Sequence, residues 1–362
     1  MTYIETVGPN IVREHFGHLP DGATVERVRL CGRNGFELAV ITFGATVQSL
    51  HVPDRTGRCA DIVLGHDDFA PYFAHRRYFG ATIGRYANRI AHGSFLLDGR
   101  RFQVTANDGV NSLHGGVAGF DQRLWSIEAL TDDPAPSMTL AYISPDGEEG
   151  YPGTLSARVT YTVTEDIGFS IAFEAMTDRP TVVNLTHHGF FNLAGVDAAE
   201  DVLDHELLMM ADAYLPVDET LIPLGGPEPV VGTPFDFRQP QRIGARLRNG
   251  HEQLRLAQGY DHNFCLQGGR TEAPRLAARV LHRASGRGME LFTDQPGLQF
   301  YSGNFLDGSV PGKRGRLYRQ ADAFCLEPQA WPDAPNRLDY SSVRLDPGEV
   351  YRHLSFYRFY ST

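Results

Sequence analysis

The stretch LSARVTYTV (Leu155–Val163), followed by TEDIG (Thr164–Gly168) and FSIAFEA (Phe169–Ala175), decides the fold class. Leu155, Ala157, Val159, Tyr161 and Val163 recur at every second position. That is the period of an extended strand with one apolar face, not of a helix. The same alternation resumes with Phe169, Ile171, Phe173 and Ala175 after a polar turn. β-Branched and aromatic residues fill both runs, so the segment reads as a β-hairpin.

The pattern repeats in both directions along the chain. Phe36, Leu38 and Val40 alternate before ITFG (Ile41–Gly44). Phe95–Leu97 and Phe102–Val104 flank Asp98-Gly99, a strong tight-turn signal. Arg279–His282 and Met289–Phe292 are joined through SGRG (Ser285–Gly288), and Val343–Leu345 and Val350–Phe359 surround DPGE (Asp346–Glu349). Helical patterning is confined to Asp67–Phe73 and Ile243–Leu247. The Pro- and Gly-rich stretch Pro223–Pro234 reads as a long loop crossing between sheets rather than a domain linker. With no repeat and no low-complexity tract, residues 1–362 are expected to form one all-β domain of packed antiparallel sheets with few short helices.

Composition narrows the function classes. The 362 residues are 42% hydrophobic and carry a net charge of −11, a field that does not attract nucleic acid or anionic lipid. No run approaches a membrane span, and Met1–Pro20 lacks the apolar core of a secretory leader. Cys31, Cys59, Cys265 and Cys325 are widely spaced, without metal-ligand spacing. Cys31 and Cys325 sit in apolar runs and read as buried free thiols. Together these features suit a reducing, cytoplasmic compartment. The sequon Asn184-Leu185-Thr186 is therefore read as coincidental. Lys313 is the only lysine, so any Schiff base would have to use it; its setting, PGKRG (Pro311–Gly315), reads as an exposed loop. No HExxH, P-loop or GxGxxG occurs, and neither a metal nor a nucleotide cofactor is expected.

The chemistry is carried by polar segments with aromatic or glycine neighbours: GRYANRI (Gly84–Ile90), NSLHGG (Asn111–Gly116), NLTHHGFFNL (Asn184–Leu193), GYDHNF (Gly259–Phe264), QPGLQFYSGN (Gln295–Asn304) and EPQAWPDAPN (Glu327–Asn336). Glu327 ends an apolar run, AFCL (Ala323–Leu326), and precedes a proline, so its carboxylate stands at a strand end beside apolar neighbours. Desolvation there raises a carboxylate pKa and improves it as a base. Taken locally, a salt-bridged edge glutamate fits as well. If 184–190 is extended, Asn184, Thr186, His188 and Phe190 share one face and His187 points to the other. His188 is then a candidate proton carrier, or a structural imidazole. His114 precedes two glycines, where backbone can approach a ligand, or is simply a turn histidine. Asn88 and Arg89 offer donors, Asp261 an acceptor or a turn cap. Gln299, inside an apolar strand, needs a polar partner.

Taken together and in this order, the segments resemble the aldose 1-epimerase family, also called galactose mutarotases. The resemblance runs from about Phe36 to the C-terminus. It implies a large β-sandwich with an open cleft, a free sugar as small-molecule partner, no cofactor, and a monomer or homodimer. It also implies Glu327 as catalytic base and His188 as catalytic acid, with Asn88, Arg89, His114, Asp261 and Gln299 binding sugar. On those roles, Glu327 should set the acidic limb of a pH–rate profile and His188 the basic limb. Two departures stand out: His187 where the family usually has Asn, and Phe190 at a position often Tyr. Two alternatives remain: a glycoside hydrolase using Asp261 and Glu327 as a carboxylate pair, and a non-catalytic sugar-binding module. A sugar-phosphate epimerase ranks below both, since no arginine cluster lies near the motifs.

Overall fold

The computed structural model describes residues 4–8 and 10–362; Met1–Tyr3 and Pro9, part of the segment read as lacking a leader, lie outside the described residues. The hairpin stands where the alternation placed it. Leu155–Val163 pairs antiparallel with Gly168–Thr177, in register from Leu155 against Thr177 to Val163 against Phe169. Every odd residue from Leu155 to Val163 is buried, and every even one is not. These two strands sit inside a nine-stranded sheet. Its middle strand is Tyr351–Ser361, which pairs with Gly168–Thr177 on one side and Arg287–Thr293 on the other.

Two six-stranded sheets complete the framework. One is an N-terminal meander from Ile4–Gly8 to Cys59–Asp61 in strict chain order. The other runs Phe190–Phe191, Phe324–Gln329, Gly297–Tyr301, Asp261–Leu266, Ala211–Tyr214, Glu228–Pro229. Inward side chains from all three sheets meet in one apolar core, among them Val28, Leu38, Val159, Ile171, Leu298, Phe300 and Leu326. Burial on this scale is the main stabilising term, about 25 cal/mol per Å² of apolar surface. The large antiparallel sheets agree with the expected all-β sandwich.

Several local expectations need adjusting. The helices run Phe69–Ala74 and Gly244–Leu247, and a third, Glu252–Leu256, follows closely. Its start is capped by His251, whose side chain accepts from the Gln253 amide, a cap the periodicity does not reveal. Pro223–Pro234 is not a bare crossing loop: it carries the edge strand Glu228–Pro229. A proline suits such an edge, where no partner demands its missing N–H. Asp98 and Gly99 both adopt positive φ and close the Ser94–Leu97/Arg100–Gln103 hairpin as read. Cys325 is buried but Cys31 only partly so, and all four thiols are free. Asn184 is fully buried, with its amide donating to the Ala87 carbonyl, so the sequon is inaccessible.

Lys313 is the clearest correction. It is buried, not exposed. Its ammonium donates to Asp61 at 2.5 Å and to the Val63 carbonyl at 2.9 Å. Its burial was invisible in its glycine-rich sequence context, because the partners that hold its ammonium lie 252 and 250 positions away. Lys313→Met should therefore destabilise the fold by about 3 kcal/mol, by leaving Asp61 with its backbone donors but no counter-ion. Chemical denaturation of the two proteins measures this difference; an unchanged midpoint would contradict it.

Candidate active site

The strand Phe324–Gln329 is buried along its whole length. Its alternation separates two environments. Phe324 and Leu326 enter the main core, Cys325 joins a second apolar cluster, and Glu327 opens into a cavity. The neighbouring strand Gly297–Tyr301 follows suit: Leu298 and Phe300 face the core, Gln299 and Tyr301 the cavity. Register then aligns Asn263, Gln299 and Glu327 across three strands, with Asp261, Tyr301 and Cys325 in the next row. Period-two geometry alone thus brings Asp261, Gln299 and Glu327 to one face.

The opposite wall comes from earlier in the chain. Thr186–His188 pairs with Ala81–Ile83, placing His188 opposite Ala81. Thr186 anchors this strand by donating its hydroxyl to the Pro328 carbonyl at 2.7 Å, beside Glu327. His187 points away, into the core against Phe191 and Tyr357, as the alternation predicts. Ser112–Leu113 pairs with Arg89–Ile90 and delivers His114 next to Asn88. Asn88 and His114 both have positive φ, so these side chains are aimed by tight backbone turns.

All seven expected residues line one cavity of about 190 Å³: Asn88, Arg89, His114, His188, Asp261, Gln299 and Glu327. That volume is below the roughly 300–1,000 Å³ of drug-sized sites and suits a single sugar ring. His188 Nε2 lies 3.6 Å from Glu327 Oε1. This is too long for a hydrogen bond but leaves the two groups facing one space. Gln299 finds its partner in Asp261, donating at 2.7 Å. Arg89 is held by Asp108 at 2.8 Å, so it does not form a free fork with Asn88. Three buried polar atoms here have no protein partner among the described residues: His188 Nδ1, Gln299 Oε1 and Glu327 Oε2. Unpaired buried polar groups are costly and mark where a polar ligand would bind.

Electrostatics set the resting protonation. Burial, reinforced by the Asp261 charge and opposed by Arg89, holds Glu327 well above the usual carboxylate range. Burial also raises Asp261. Burial lowers His188 to about 3 and pushes His114 well below an ordinary imidazole. The low-polarity cavity favours uncharged forms on both sides. This reverses the expected limbs of the pH profile. With these shifts the low-pH transition belongs chiefly to His188 gaining a proton, and the high-pH one to Glu327 losing it.

The tautomer of His114 follows from one contact. The Asn88 amide N–H donates to His114 Nδ1 at 3.2 Å. The neutral ring therefore carries its proton on Nε2, as a fixed donor. Ligand atoms of His114, His188 and Glu327 lie within 4.8 Å of one another, a span a metal could bridge. In this tautomer, however, neither His114 nitrogen has a free lone pair.

Sequence reasoning missed part of the wall: Arg76, Arg77, Tyr78, Tyr301, Phe305 and Leu306 also line the cavity. Arg76 and Arg77, which join Arg89 on the cavity wall, correct the expectation that no arginine cluster lies near the motifs. Each already has a carboxylate partner, though: Arg76 donates twice to Asp121 at 2.6 Å, and Arg77 donates to Asp307 and also to the Ser309 hydroxyl. No free anion cradle results. The signal that could have found Tyr78 is its position only six residues before GRYANRI (Gly84–Ile90).

The family model for aldose 1-epimerase matches residues 26–358. The chain belongs to the aldose 1-epimerase family. It is 47% identical to a human protein named galactose mutarotase, over 97% of this chain and 98% of that one. It is 38% identical to the Escherichia coli aldose 1-epimerase, over 94% of this chain and 96% of that one. Its structure is similar to that of a galactose 1-epimerase from Lactobacillus acidophilus, with TM-score 0.85 and 28% identity over 97% of this chain and 98% of that one. Family membership makes the protein an isomerase, a mutarotase, and disfavours the glycoside hydrolase and the passive sugar-binding module. Among the described residues no helix is long and apolar enough to cross a membrane.

Proposed function

We propose that the protein interconverts the α and β anomers of a free aldose such as glucose or galactose, with Glu327 as base and His188 as acid. The observation that carries this reading is the 3.6 Å approach of His188 Nε2 to Glu327 Oε1 inside a sugar-sized cavity. A cyclic hemiacetal changes anomer by opening and reclosing. Glu327 takes the proton of the C1 hydroxyl, the C1 carbonyl forms, and the bond from C1 to the ring oxygen breaks. His188 donates its proton to that oxygen. Rotation about the C1–C2 bond exposes the other carbonyl face, and closure reverses both transfers.

The pair holds one proton throughout. Before opening it sits on His188 and afterwards on Glu327, so nothing is consumed and no cofactor is needed. Burial favours the uncharged arrangement that follows opening, and the nearby Arg89 offsets part of the cost of the charged one. His114, with its proton on Nε2, donates to the ring oxygen or a neighbouring hydroxyl. Asn88, Arg89, Asp261 and Gln299 hold the remaining hydroxyls. The working location is the cytoplasm, as a monomer or homodimer.

Polarimetry on freshly dissolved α-D-glucose and α-D-galactose tests the reaction; no acceleration over buffer with any of glucose, galactose, xylose or arabinose would overturn it. kcat/KM should be bell-shaped in pH, with both limbs belonging to the coupled pair. Glu327→Gln should remove the high-pH limb from whatever rate remains. Identical pH profiles for wild type and Glu327→Gln, with chemistry rate-limiting, would contradict the one-proton pair.

A further inference from the structure

His188 lacks the usual orienting device of a proton-transferring histidine. Such a ring normally donates its second nitrogen to a carboxylate or carbonyl, yet His188 Nδ1 is buried without a partner among the described residues. Something else must fix the ring about its own axis. Two aromatic rings lie parallel to it: Phe190 with a centroid separation of 4.9 Å and Tyr78 at 5.7 Å, each tilted by only 13°. Tyr78 also meets His114 edge-on at 4.8 Å, so this one phenol touches both imidazoles of the cavity.

The backbone around Tyr78 is built to hold it there. Tyr78 adopts φ 60°, a left-handed conformation that a bulky side chain takes only when its surroundings impose it. Its carbonyl accepts from Ala81 at 3.1 Å, closing a turn. Inside that turn Gly80 donates to the His188 carbonyl at 2.9 Å, so the two residues are tied together through the main chain. Gly80 is required here: it has φ 65°, and a Cβ would fall 2.1 Å from the Val47 carbonyl oxygen. The Arg76 guanidinium sits over the Tyr78 ring at 4.6 Å and is itself fixed by Asp121 and the Gly116 and Val117 carbonyls.

We infer that Tyr78 is a positioning residue for the acid: its ring face sets the rotation of the His188 imidazole and stabilises the imidazolium by stacking. The face of the ring does this, not the hydroxyl. This rests on the proposed role of His188, so the two must be tested side by side.

The experiment compares Tyr78→Leu, Tyr78→Met and Tyr78→Phe with His188→Asn, in mutarotation rate against sugar concentration and pH. Misorienting the acid should lower kcat by about 10²-fold in Tyr78→Leu, with little change in KM. The low-pH limb should move down, because stacking no longer favours the charged ring. Tyr78→Phe should recover most of the lost rate. Tyr78→Met, which fills similar volume without a ring, serves if the leucine variant does not fold, and should resemble it. A kcat within twofold of wild type in the non-aromatic variants would overturn the proposal, as would a loss confined to KM, an unmoved pH limb, or failure of Tyr78→Phe to recover. If His188→Asn is inactive while the non-aromatic Tyr78 variants are normal, only the positioning role falls. If His188→Asn is active, the acid assignment itself falls.

Discussion

Replacing Glu327 by glutamine is expected to slow mutarotation by roughly 10²–10⁴-fold while leaving the fold intact, and His188→Asn should do the same. The glutamine keeps the shape of the side chain in a strand buried on both faces. It removes only the capacity to accept the anomeric proton. Loss of stability is not expected. Glu327 Oε2 already lacks a protein partner, and a buried carboxylate is held against its own desolvation. Glu327→Gln should therefore melt at or above the wild-type temperature. Polarimetry and thermal unfolding on the same samples separate the two effects. Near-normal rates in either variant would remove that residue from the chemistry, whereas lost activity with a collapsed melting temperature would indicate a structural role.

Acid should unfold this protein steeply. Burial holds His187, His188, His205 and His262 at about 3, and His66 and His353 at about 4. In the unfolded chain each titrates near 6.5. Between those values the unfolded state binds the extra protons. Stability contributed by neutral burial is then full above about pH 6.5 and declines as pH falls toward 3, by about 1.4 kcal/mol per unit and per fully shifted group. Glu327, Asp261 and Asp333 shift upward and work the other way, gaining stability as pH falls toward their unfolded values. The histidines outnumber them, so the balance is net proton uptake on unfolding. Urea denaturation at pH 7.5 and at pH 5 should show a much lower midpoint at pH 5. Equal midpoints would show that these imidazoles are solvated or paired in solution.

The chemistry-bearing strands were legible in the sequence because their alternation is local. Glu327 and Gln299 each interrupt an apolar strand with a polar side chain, and each proves to face the cavity. The His187/His188 parity was equally readable, since adjacent strand residues must point opposite ways. What could not be read was set by distant neighbours. Lys313 sits in a loop-like pentapeptide, yet its burial depends on Asp61 and Val63. Arg89 reads as an available donor in sequence, but in the fold it donates to Asp108. The upward shift of Glu327 was readable from its apolar neighbours, whereas the depression of His188 was not. A histidine written in sequence has an ordinary pKa, and only the packing of three sheets around it brings that value down.

The position of the final strand carries a consequence for biosynthesis. Tyr351–Ser361 lies fifth in the nine-stranded sheet, with four strands on either flank. Until Tyr351–Ser361 has been synthesised and has cleared the ribosome, those flanks have no common seam, and the nascent chain must wait with two half-sheets exposing unpaired edges. Such edges invite association with other chains, and a topology dominated by sequence-distant pairing folds slowly. Deleting Tyr351–Ser361 would remove the keystone of the sheet, not one of its edges.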